Sequence, residues 1–182
     1  WGEAEVENWQ QVLLLGGEIA WQSSQLPVAR ELWEEQLRFL REHHGEGTPH
    51  PMIAGALRSL GRPLQAQGDL GGAEKLYREC LDMQIKVYGE DTPHAEVAAT
   101  LHQLGRLLQA QGDLDGAEKL YRECLEMKRK VYGEDTPHAE VAATLHQLGR
   151  LLQAQGDLDG AEKLYRESLE MKRKVYGEDT PH

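Results

Sequence analysis

Cysteine is scarce: the chain has Cys80 and Cys124 and no others, 44 residues apart. If that separation is one structural repeat, helix packing sets the two about 10 Å from each other, beyond the span of a disulfide. They read as small core residues of a reducing compartment. Positive charge is also short. Twenty Lys and Arg against 31 Asp and Glu leave a net charge of −11, which argues against a general nucleic-acid binder. No apolar run approaches the roughly 18 residues of a membrane span, and the acidic start "WGEAEVENWQ" does not resemble a signal peptide. These points together give a cytoplasmic expectation. No segment alternates apolar and polar residues as a strand does. A glycine-rich phosphate loop, HExxH and CxxC are all missing, and no two histidines stand four apart. Neither a metal nor a cofactor is expected.

What is there is repetition. "LGRLLQAQGDLDGAEKLYRE" occupies 104–123 and again 148–167, with a near copy at 60–79. Tyr77, Tyr121 and Tyr165 are 44 residues apart, as are Gly68, Gly112 and Gly156. Residues 94–137 and 138–181 differ only at Cys124 versus Ser168, and 50–93 differs from 94–137 at 12 of 44 positions. A looser copy lies at 1–49, where Gly17, Leu26, Ala29 and Leu37 fall in phase. The organisation read from this is a degenerate amino-terminal capping repeat (1–49), then repeats at 50–93, 94–137 and 138–182, as one continuous array or an excerpt of a longer one. Reactive groups in several identical copies do not make a unique catalytic constellation, so the chain is not read as an enzyme. A repeat is a packing unit that needs its neighbours.

Each unit reads as two helices. In 94–137, Val97, Leu101, Leu104, Gly105 and Leu108 form one stripe at helical spacing, and Leu114, Ala117, Leu120, Tyr121, Cys124, Leu125, Met127 and Val131 form a second. Gly112 suits a left-handed turn between them, and Asp113 is an N-cap for the second helix. Gly133 marks the end. "DTP" (135–137) supplies a cap candidate and a proline near the next first turn. Glu118–Arg122 and Glu126–Lys130 are i,i+4 pairs on a solvated face.

The residues Leu101-x-x-Leu104-Gly105-x-x-Leu108, then Gly112, Leu114, Ala117 and Tyr121, resemble the tetratricopeptide pattern. The longer unit, joined by "YGEDTPHAEVAATLHQLG" (132–149), is most similar to kinesin-light-chain-like repeats. The resemblance implies an all-α fold: an α-solenoid of stacked antiparallel hairpins wound as a right-handed superhelix. The first helices would line its concave wall, and the wall would hold a protein or peptide without catalysis. On that pattern the groove residues are Arg58, Arg62 and Gln65, then His102, Arg106 and Gln109, then His146, Arg150 and Gln153, with Leu14, Glu18 and Trp21 from the first repeat. Kinesin-light-chain-like repeats carry paired asparagines where this chain has His102–Gln103 and His146–Gln147.

The arginines Arg58, Arg62, Arg106 and Arg150 form a positive ladder in an acidic protein, suited to an acidic peptide; the histidines are expected to add charge toward pH 6. The competing reading is a structural, self-assembling module produced by recent duplication or design. Three further expectations concern particular residues. Pro63 should bend its helix. Trp33, at the Tyr77 position, should be buried and Trp21 less so. The last repeat, with Leu164, Ser168, Met171 and Val175 on an uncapped face, should form a two-fold homo-oligomer.

Overall fold

The computed structural model describes residues 3–90 and 92–177 and is helical wherever the 3.6-residue period was read. Its helices are α1 (Glu3–Gln22), α2 (Leu26–His44), α3 (Pro51–Ala66), α4 (Leu70–Tyr88), α5 (Ala95–Gln111), α6 (Leu114–Tyr132), α7 (Ala139–Gln155) and α8 (Leu158–Tyr176). Among the described residues there is no strand. Short turns join them into the hairpins α1/α2, α3/α4, α5/α6 and α7/α8. The chain forms two compact units that divide after Glu90, each of two hairpins. In the first, α2 packs on α3; in the second, α6 packs on α7.

The turns follow from their residues. Gly112 has φ 87°, a left-handed conformation that costs other residues about 1–2 kcal/mol, and its N–H returns to the carbonyls of Leu108 and Gln109. The Asp113 side chain then accepts from Gly116 N at 2.9 Å and caps α6. The start of the first helices corrects the sequence reading. The cap is not in Asp-Thr-Pro. It is His138, whose Nδ1 accepts from Glu140 N at 3.2 Å, and likewise His94 with Glu96 N (3.2 Å) and His50 with Met52 N (3.3 Å). Pro137 lies before the cap, and the extended backbone of His138 (φ −138°, ψ 135°) aims the ring back over the first turn. Thr136 N bonds to Gly133 O at 3.2 Å and closes the linker instead. Tyr132 stacks on the capping ring of His138, centroids 3.6 Å apart. The next histidine in phase, His182, lies outside the described residues.

Inside each hairpin an aromatic ring of the second helix lies on a glycine of the first. Tyr77 and Tyr121 are fully buried. A Cβ on Gly105 would come within 2.9 Å of Tyr121 Cε1, and one on Gly61 within 2.5 Å of Tyr77 Cε1. Trp33 sits over Gly17 in the same way and is fully buried, while Trp21 is half-buried, as read from the sequence. Burying such a ring stabilises by roughly 1.5–3 kcal/mol. Cys80 and Cys124 are free and buried. Their thiols donate to Ala54 O and Ala98 O at 3.1 Å, and Ser168 Oγ donates to Ala142 O at 2.7 Å. The single difference between the last two repeats therefore keeps the same hydrogen bond.

α3 continues through Pro63, whose ring is buried, and ends at Ala66. Its counterpart α5 continues to Gln111, one residue further in phase. Leu107 and Leu151, outside the stripes read from the sequence, are fully buried. Leu151 belongs to the core shared by α6 and α7.

Candidate functional site

The expected groove residues all lie on first helices, but the structure gives them different work. The Arg62 rung is engaged from within its own unit. Its Nη1 pairs with Glu18 Oε1 at 2.7 Å. Its Cζ stands 4.5 Å from the Trp21 ring and 5.4 Å from that of Trp33, so the cation is held by a carboxylate and two aromatic faces. Arg58 is half-buried on the same helix. The three glutamines serve their own hairpins: Gln65, Gln109 and Gln153 accept from the hydroxyls of Tyr77 (3.5 Å), Tyr121 (3.3 Å) and Tyr165 (2.9 Å).

The second unit keeps two open rungs. Arg106 and Arg150 are exposed, and among the described residues neither forms an ion pair. His146 is exposed between them and His102 half-buried. The His102 ring meets Tyr121 edge-on, centroids 5.5 Å apart. Burial, then the nearby Lys128 and Arg106 charges, push its pKa from 6.5 down to about 4, against a small opposing pull from Glu140. This corrects the expectation that His102 adds charge near pH 6: it stays neutral there. His146 shifts the same way, through desolvation and the Lys172 and Arg150 charges. Burial also raises the Tyr121 phenol to about 12, so it remains a hydrogen-bond donor to Gln109 at any ordinary pH.

Sequence reasoning missed Lys128. It is buried between α6 and α7, with Nζ 3.1 Å from Glu140 Oε2 and 3.2 Å from Thr144 Oγ1. A buried ammonium is costly unless paired in this way. The signal was available, since Lys128 follows Cys124 by four residues and shares its inward face. The face expected to lie open on the last hairpin also needs correction. Leu164 and Met171 point back into the α6/α7 core, and Ser168 is buried. The exposed apolar groups of α8 are Leu158, Leu169 and Tyr176.

Hairpins of two amphipathic helices, repeated in tandem and packed on one another within each unit, define a helical repeat protein. The model of the tetratricopeptide repeat matches residues 52–130 and 96–174. The chain belongs to the tetratricopeptide repeat family. No curated protein matches it in sequence. Among solved structures, BtubC (BKLC) from P. vanneervenii is similar at 20% identity and a TM-score of 0.83, over 95% of this chain and 66% of that one. A P. anserina protein of nearly identical TPR-like repeats, which carries the name of a kinesin light chain, aligns at 22% identity and 0.78 over 97% and 79%. Apo RapI aligns at 14% and 0.79, over 96% of this chain and 58% of its own. These likenesses establish the fold, an α-solenoid of TPR-like hairpins. Among the described residues no helix is long and apolar enough to cross a membrane.

Proposed function

We propose that the chain is a non-catalytic scaffold for protein partners, and that the wall formed by α5 and α7 takes an extended acidic segment of the partner. The observation that carries this is the pair Arg106 and Arg150: exposed, one repeat apart, and without ion pairs among the described residues. The chain has a net charge of −11, and in it Arg30, Arg78, Arg122 and Arg166 are each paired with a glutamate on their own helix. Arginine engages a carboxylate with a planar fork of donors. Small Ala110 and Ala154 leave room beside the rungs, and the Gln103 and Gln147 amides offer bonds to an extended backbone. Free buried Cys80 and Cys124 suit a cytoplasmic setting.

Fluorescence anisotropy with acidic and basic peptides of equal length tests the reading. The acidic peptide should bind about tenfold more tightly at low salt and lose that advantage as salt rises. Arg106→Glu with Arg150→Glu should remove the preference while the circular dichroism stays that of the unmodified chain. Equal affinity for both peptides at low salt would refute it.

A further inference from the structure

The two units fill one pair of equivalent positions in opposite ways. In the first unit the pair is Glu18 on α1 and Arg62 on α3, 44 residues apart. Their side chains meet across the step between repeats, Arg62 Nη1 lying 2.7 Å from Glu18 Oε1. Side chains on successive rungs of such a wall can therefore grip one another directly. In the second unit the same pair of positions holds Arg106 on α5 and Arg150 on α7, two cations.

No acid on either helix comes between them. The carboxylates of α5 and α7 are Glu96 and Glu140, both in the first turn, and Glu140 pairs with Lys128. Each arginine follows its helix's glutamate by 10 residues, about 15 Å of helix. Both cations nevertheless act at one point. Burial raises the Tyr121 phenol, while Arg106 and Arg150 each pull it down, so both charges are felt at a hydroxyl that Gln109 holds at 3.3 Å.

Two guanidinium groups brought to one place match an anion of two charges. A carboxylate offers one charge and two oxygens. A phosphate monoester offers nearly two charges and three acceptor oxygens, so each arginine can fork onto two of them with one shared. A nucleic-acid phosphate carries a single charge, and a chain of net charge −11 repels that polymer. On the acidic-segment reading above, we infer that Arg106 and Arg150 together clamp one phosphorylated serine or threonine of the partner, in the place that Glu18 takes beside Arg62. The first unit offers no second clamp of this kind, because Glu18 already fills it.

The probe is a set of fluorescein-labelled, end-blocked acidic peptides identical except at one central position, which is serine, glutamate or phosphoserine. Anisotropy titration with the full chain should show phosphoserine bound at least about tenfold more tightly than glutamate. Arg106→Gln and Arg150→Gln should each cut that ratio to about twofold or less, with unchanged circular dichroism, and Arg62→Gln should leave it as it was. Inorganic phosphate at the concentration of the phosphopeptide should not displace it; equal competition would make the ligand free phosphate and overturn the clamp. Glutamate binding as tightly as phosphoserine, both through the two arginines, would also overturn it and leave the acidic-segment reading standing. Failure of every acidic peptide to bind more tightly than a basic one would remove both.

Discussion

Replacing His102 with glutamine should make the second unit less sensitive to acid. In the folded chain His102 protonates at about 4 rather than 6.5, because it is buried and faces Lys128 and Arg106. Between those two values the unfolded chain takes up a proton that the folded chain refuses. Stability therefore falls as pH falls. The contribution is fully present above pH 6.5, declines through the window and levels off near 4, where the folded ring protonates too. At about 1.36 kcal/mol per pH unit, the full window is worth about 3 kcal/mol. Urea denaturation followed by circular dichroism at pH 7.5, 6, 5 and 4.5 measures it. Carboxylates titrate in the same range, so the informative quantity is the difference between the chain and His102→Gln. That difference should shrink in the variant's favour by about 2–3 kcal/mol from pH 7.5 to 4.5. Parallel pH profiles for the two proteins would refute the reasoning, since they would mean that the ring protonates equally in both states.

Gly105→Ala should lower stability by about 1–3 kcal/mol, because its Cβ would press on Tyr121, whereas Gly55→Ala, with nothing within 4 Å, should raise it by up to about 1 kcal/mol; thermal melts of both decide. Cys124→Ser should change stability by less than about 1 kcal/mol, since Ser168 already makes that hydrogen bond, and Cys124→Val, which has no donor, should cost more in the same melts. Lys128→Met should move the His102 pKa upward, measured by NMR titration of the imidazole, because it removes one of the charges that hold it down; an unmoved titration would exclude that coupling.

Much of the site was legible because it is written in periodic form. Gly112 and Asp113 announce a turn and a cap by residue type alone, and Trp33 announces a core position by falling in phase with Tyr77. The histidine caps were not legible in that way. Histidine is an uncommon N-cap, and the Asp-Thr-Pro beside it carries the stronger propensity signal, so the cap was sought in Asp-Thr-Pro until the backbone showed where the His94 and His138 rings turn. The arginine ladder was legible as a list but not as a set of free groups. Arg62 and Arg106 occupy the same place in the repeat, yet one faces Glu18 and two tryptophans while the other faces solvent.

The sequence alone determined the helices, their pairing and the period, because a 3.6-residue stripe, a glycine and a cap act within a few residues and need no distant partner. It also determined the equivalence of the last two repeats. Only the tertiary structure decided which equivalent groups are spent on the fold. Tyr121 is sealed and Tyr165 is half open, Lys128 is paired with Glu140, and His102 is held neutral by burial and by the charges of Lys128 on α6 and Arg106 on its own helix. Burial and electrostatic coupling depend on what the neighbouring hairpin places within a few ångströms, and identical letters on successive repeats meet different neighbours.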